Sequence, residues 1–144
     1  MYIRTKNNSI INLKSIIKFY LDNDYIMGKS ENQDIIIYYN KDEVMRKQVY
    51  ENLISYLEEP SARLISIEAL EGKKAHLYFQ DNGMFELLGV NLTEAESNRL
   101  IIETLENLKF KYHYFREWFD EKGNKWIDYG SHTNFFVWGN NIEQ

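Results

Sequence analysis

His113 and Glu117 stand four residues apart, the spacing at which two side chains on one turn of a helix converge on a metal ion. On a strand the same two residues share a face but lie about 13 Å apart. The chain holds no HExxH pair and no Asp-rich calcium loop, so no metal site is expected. Ser131 and His132 are adjacent, but adjacency is not the geometry of a nucleophile and its base, and no G-x-S-x-G elbow is present. They read as a polar turn with Thr133 and Asn134. Glu58 with Glu59, Glu94 with Glu96, and Asp120 with Glu121 supply paired carboxylates. Acid–base work needs such a group in a pocket that shifts its pKa. Glu94 and Glu96 fall instead in the first turn of a helix, facing the positive end of its dipole. Glycines are scattered singly, so neither a P-loop nor a dinucleotide fingerprint appears. No catalytic residue and no cofactor is expected.

The remaining constellation is aromatic. Residues 109–130 interleave phenylalanine, tyrosine and tryptophan with charges of both signs, and Asn134–Trp138 adds more rings. Tyr112, Tyr114, Phe115, Trp118, Phe119, Trp126, Tyr129, Phe135, Phe136 and Trp138 exceed what one sheet face can bury. Three arrangements would use them. Both faces can be covered, by helices or by a dimer mate. Alternatively, some rings form a protein interface, because tyrosine, tryptophan and arginine dominate binding hot spots. Finally, they can wall a pocket that stacks a nucleotide-like molecule, held by Arg116 or His132.

The elements that must position these residues follow from periodicity. Tyr2–Thr5, Ile10–Leu13, Ile16–Leu21 and Tyr25–Met27 read as strands, separated by turns at 6–9 and at Asp22-Asn23-Asp24. Asp34–Tyr39 is the strongest strand, and its β-branched run predicts burial on both faces and a central place in a sheet. A helix follows, with Asn40 as cap and Glu43 in capping-box position. Met45, Val49, Leu53 and Leu57 make its buried stripe, and it ends before Pro60. Arg63–Leu70, Ala75–Gln80 and Met84–Val90 read as three further strands, with a hairpin turn at Asp81-Asn82-Gly83. Thr93 and Glu96 form a second capping box, above a helix that turns Leu100, Ile101, Leu105 and Leu108 inward.

Lys109–Asp120 admits two readings. Ile101, Leu105, Leu108, Tyr112, Phe115 and Phe119 follow a spacing that would extend the helix to Asp120. The strand reading places Phe110, Tyr112, Tyr114 and Trp118 on one face, with Lys111, His113 and Glu117 on the other. Strand is favoured, because aromatic residues are enriched there and Phe119–Trp126 reads as a hairpin turn, with Gly123 available for positive φ. Trp126–Gly130 then pairs back, and Asn134–Trp138 completes an aromatic meander.

The expected fold is α+β: antiparallel sheet packed by two helices, with a duplication as two β-β-β-α units as one form of it, closing on that aromatic meander. At 144 residues, 44% hydrophobic and 27% charged, residues 1–144 fit a single domain, with 58–63 the one candidate internal boundary. There is no cysteine, which excludes disulfides and thiolate chemistry. The first residues lack a signal peptide's apolar core, and no segment is apolar enough to span a bilayer. A cytoplasmic location and no membrane partner are expected. The net charge of −5 disfavours direct nucleic-acid binding. Abundant isoleucine, asparagine, lysine and tyrosine, all with AT-rich codons, point to a low-GC bacterium or its phage. MYIRTKNNSIINLKSI resembles the start of small phage and prophage proteins that open on I-R-T and I-N-L hairpins. That likeness covers the first third at most and carries over no functional residue.

These readings together favour a non-enzymatic intracellular binding protein. It would be an inhibitor, either an immunity protein against a toxin or a phage anti-defence protein of anti-CRISPR type that blocks a nuclease. Tyr112, Tyr114, Arg116, Trp118, Asp120, Glu121, Trp126 and Asp128 are its expected partner-binding residues, with Glu117 adding to their negative charge. A homodimer is compatible with the same surface. The alternative is a nucleotide-like small-molecule binder, or a small enzyme, using an aromatic pocket.

Overall fold

A computed structural model describes residues 1–58, 64–108, 116–130 and 134–142. Among these residues the fold is α+β, with strands in three antiparallel-rich sheets. The chain divides into two compact units, Met1–Gly72 and Lys73–Gln144.

The first unit holds two small sheets. Strand β1 (Tyr2–Arg4) pairs antiparallel with β2 (Ile10–Asn12). The second antiparallel sheet is a meander of β3 (Lys18–Asp22), β4 (Tyr25–Lys29) and β5 (Asp34–Tyr39). Its first turn is tight because Asn23 takes a left-handed φ of 52°. Helix α1 (Glu43–Glu58) follows, and β6 (Leu64–Ser66) then joins the first sheet parallel to β1. A single helical turn, α2 (Ile67–Leu70), closes the unit. The predicted stripe of α1 holds: Val49 and Leu53 are fully buried, and Met45 and Leu57 pack partly buried against the same core as Ile3, Ile26 and Ile67. Each such fully buried side chain contributes on the order of 1.5–3 kcal/mol.

Three local expectations are corrected here. The cap of α1 is Asp42, whose Oδ1 accepts the N–H of Val44 and, at 3.4 Å, of Met45. Asn40 sits one step earlier and accepts the Asp42 N–H, while Glu43 pairs with Lys47 along the helix. Residues 64–70 do not continue as one strand, because the Ser66 side chain accepts the Ala69 N–H and starts α2. Finally, β5 is a terminal strand and not a central one. Ile36 is 56% exposed, whereas Ile37 and Tyr38 are buried, so its isoleucine run fills one face only.

The second unit is built on one five-stranded sheet. Its order is β8 (Met84–Leu92), β7 (Ala75–Asp81), β11 (Asn134–Gly139), β10 (Lys125–Asp128) and β9 (Arg116–Phe119), all antiparallel. The β7–β8 connection is the expected two-residue turn, with Asn82 and Gly83 at φ 50° and 85°. Helix α3 (Glu94–Asn107) carries the predicted capping box: Thr93 accepts the Glu96 N–H, and Glu96 accepts the Thr93 N–H. Ile101 and Leu105 are buried and Leu100 half-buried, but Leu108 is 60% exposed. The helix ends at Asn107 with Leu108 as its cap, so the spacing that would carry it to Asp120 is not used. Arg116–Phe119 is a strand, as favoured; residues 109–115 lie outside the described set.

Candidate functional site

Register fixes which residues of the second unit share a face. Trp126 pairs with Trp118 on one side and Val137 on the other, Val137 pairs with Tyr78, and Tyr78 with Leu87. Paired residues project to the same face of a sheet. One face therefore carries Arg116, Trp118, Trp126, Asp128, Phe135, Val137, Tyr78 and Phe85. The other carries Glu117, Lys125, Ile127, Phe136, Trp138 and Leu77. Residues of that second group, Leu77, Ile127, Phe136 and Trp138, are buried together with Ile101 and Leu105 of α3.

On the first face the rings form a connected ladder. Trp118 and Trp126 stack with centroids 6.1 Å apart and planes 10° apart. Phe135 meets both edge-on, at 6.0 Å, and Phe85 meets Trp126 at 6.4 Å. Tyr78 extends the row to Phe85. Val137, the small residue in the middle, is fully buried beneath these rings. All five aromatic residues are half-buried, each with part of its ring open to solvent. The Arg116 guanidinium lies over Trp118 at 4.7 Å from the ring centroid, and 3.9 Å from the Asp128 carboxylate. With its side chain 59% exposed, that ion pair contributes little to stability. The cation–π contact still orients the arginine on the indole.

The β9–β10 hairpin bounds this face. Asp120 accepts the backbone N–H groups of Lys122 and Asn124, the Asn124 amide, and the Trp126 indole N–H at 2.9 Å. Burial pushes its carboxyl up, and these donated hydrogen bonds outweigh that, so Asp120 sits below the usual carboxylate range. Gly123 takes φ 81° in the same turn. Glu121 and Lys122 are exposed at the tip. A shallow cleft of about 470 Å³ opens beside the hairpin, lined by Phe85, Trp126, Asp120, Lys122 and Asn141 among others.

Of the expected partner-binding residues, Arg116, Trp118, Trp126 and Asp128 are brought together on one face. Asp120 and Glu121 lie at its hairpin end, with Asp120 engaged inside the turn. Tyr112 and Tyr114 lie outside the described residues, as do His113, Ser131 and His132. The third histidine, His76, accepts the Asn91 backbone N–H through Nδ1.

The opposite face holds a charged group that sequence reasoning missed. Lys125 is fully buried, with Nζ 2.6 Å from Glu94 Oε1 and 3.3 Å from Glu117 Oε1. The Glu94 side chain is 5% exposed and that of Glu117 is 6% exposed. Burial pushes the Glu94 carboxyl up, against the pull of Lys125. Its second oxygen, Oε2, is buried with no hydrogen-bond partner among the described residues. Glu94 thus does more than face the helix dipole: it joins α3 to two strands of the sheet. Two carboxylates and one ammonium in van der Waals surroundings form a structural tie whose strength depends on all three being present.

Among the described residues, no group of three or more His, Asp or Glu side chains is arranged to hold a metal ion. Among them too, no helix is long and apolar enough to cross a membrane. No protein-family model, curated protein or solved structure matches the chain.

Proposed function

We propose that the protein is a non-enzymatic inhibitor that docks onto another protein through the aromatic face of its second unit. One observation carries this reading: a half-buried ladder of Trp118, Trp126, Phe135 and Phe85 with the exposed Arg116 stacked on its end. Rigid tryptophan and arginine side chains held in place before binding lose little conformational entropy on docking, which is what hot spots require. Glu121, Asp128 and the hairpin carboxylate of Asp120 outnumber Arg116 and Lys122 and leave the rim with a small net negative charge. That rim fits a basic partner, such as a toxin or a nuclease whose own substrate is nucleic acid. An immunity protein and a phage anti-defence protein are the two forms of this reading.

The test is native mass spectrometry of the protein purified gently from its own host cells. A stoichiometric protein partner is expected with the wild type, and is lost from Trp118→Ala and Arg116→Ala chains that keep the wild-type circular dichroism. Truncating a hot spot costs about 2 kcal/mol or more, roughly thirtyfold in affinity. A co-purifying small molecule in place of a protein would overturn the reading and move the site to the cleft beside the hairpin. Unfolding of both variants would make the ladder a structural feature instead.

A further inference from the structure

The first unit carries a second surface, along the free edge of β5. As the terminal strand of its sheet, β5 has no strand beside its outer edge among the described residues. A cleft of about 870 Å³ runs along it, lined by the consecutive residues Ile35–Tyr39, Asn40 and Lys41, and flanked by the turn after β1. Apolar terminal strands pair with another strand unless charge, proline, a covering loop or an unmatched bulge prevents it. Between Asp34 and Lys41 no charged residue and no proline interrupts the edge.

We propose that β5 pairs antiparallel with β5 of a second copy of this chain, about a two-fold axis passing between Ile37 and Tyr38. The burial pattern of residues 34–41 supports this register. Asp34 and Lys41 are exposed, Ile35 and Asn40 half-buried, Ile36 and Tyr39 exposed, and Ile37 and Tyr38 buried. The sequence of environments reads the same in both directions. A two-fold axis perpendicular to the sheet keeps every residue on its own face, so residues opposed across it must share a face. A regular strand cannot satisfy that about an axis between two residues, because alternation puts Ile36 and Tyr39 on opposite faces. The bulge in β5 removes the conflict. Ile36 pairs with Met27 and Tyr38 with Ile26, leaving Ile37 as the extra residue, and Tyr39 then returns to the Ile36 face opposite Tyr25.

Charge selects the same partner. In this register Asp34 of each copy stands opposite Lys41 of the other, giving two opposite-charge pairs per dimer. Ile36, 56% exposed, meets Tyr39, 47% exposed, so the two largest uncovered side chains of the strand cover each other. The product is one continuous sheet of both meanders, with the edge abolished.

Sedimentation velocity of the full chain over a concentration series tests this with three variants. The wild type is expected to dimerise. Asp34→Lys and Lys41→Glu each turn two attractive pairs into two repulsive ones and should weaken the dimer about tenfold or more. The double variant D34K/K41E restores opposite charges across the edge and should recover wild-type dimerisation. An equimolar mixture of the two single variants should form a heterodimer tighter than either homodimer. A wild type that stays monomeric into the high micromolar range overturns the proposal. So does a dimer indifferent to both single reversals, or a double variant that remains weak. Binding of a foreign protein at this edge, with no self-association, is one such overturning result.

Discussion

Replacing Lys125 with methionine isolates what the buried charge cluster contributes. The change keeps an unbranched side chain in the slot beside Trp138 and removes only the ammonium. Glu94 and Glu117 are then left buried without the cation that lies 2.6 and 3.3 Å from them. Breaking a buried ion pair by deleting one partner costs roughly 3–5 kcal/mol. Lys73 also favours ionisation of Glu94, which argues for the lower end, about 3 kcal/mol. At a urea m-value of about 1.5–3 kcal/mol/M, that lowers the unfolding midpoint by about 1–2 M. The loss should depend on pH, in a direction fixed by the Glu94 carboxyl. Burial already raises the Glu94 pKa in the folded protein against the opposing pull of Lys125, and removing Lys125 raises it further. A group whose folded pKa is raised contributes its stability fully below its ordinary value and loses it as pH rises through the folded value. The deficit of Lys125→Met is therefore small near pH 4.5, grows with rising pH, and is large at pH 7. Tryptophan fluorescence reads the transition in the right place, because Trp118, Trp126 and Trp138 all lie in the second unit. The triple variant E94Q/E117Q/K125M removes every charge and should return to within about 1 kcal/mol of the wild type, or exceed it. A Lys125→Met midpoint equal to wild type at pH 7, or a deficit that is the same at pH 4.5 and 7.5, would refute the reasoning.

Two further perturbations probe how the aromatic face is held. Thr93→Ala removes the hydroxyl that accepts the Glu96 N–H, and should cost about 1 kcal/mol in a thermal melt, with Thr93→Ser close to wild type. The Thr93 backbone N–H, and then its hydroxyl, hold the Glu96 carboxyl below its ordinary range; that stabilisation should be present above the ordinary glutamate pKa and fade as pH falls through the lowered value. Gly139→Ala places a methyl group inside the contact envelope of the Asn124 side chain, which links Asp120 to the backbone of Asn141. It should destabilise by about 1–3 kcal/mol. Adding Asn124→Ala to the same chain should cost less than the sum of the two single changes, read from urea midpoints of the cycle.

What was legible in the sequence was local. Thr93 and Glu96 declare a helix start within four residues, and Asn82-Gly83 and Gly123 declare turns through backbone conformations that few other residues adopt. The grouping of Arg116, Trp118, Trp126 and Asp128 was also within reach, because a short hairpin fixes its own register. The buried cluster was not. Its members come from α3, β9 and β10, and a lysine or glutamate among mostly polar neighbours, with at most one tryptophan beside it, reads as a solvated position until the strand order sets a helix above it. The place of β5 was misread for a related reason. An isoleucine run records that a strand is apolar, whereas its position at the end of a sheet depends on which other strands pair with it. Asp42 and Asn40 are both good caps, and the choice between them follows from where the chain leaves β5, not from their chemistry.

The claim that the aromatic face is a docking surface is tested most directly by hydroxyl-radical footprinting, which labels side chains according to their access to solvent. The chain purified gently from its host cells is compared with the same chain produced alone. The account predicts that Trp118, Trp126, Phe135 and Phe85 lose reactivity together in the host-purified sample, while Tyr2 and Ile17, exposed in the first unit, stay unchanged. Equal reactivity of the four rings in both samples, with a stoichiometric protein partner present, would contradict it and place the interface on another surface.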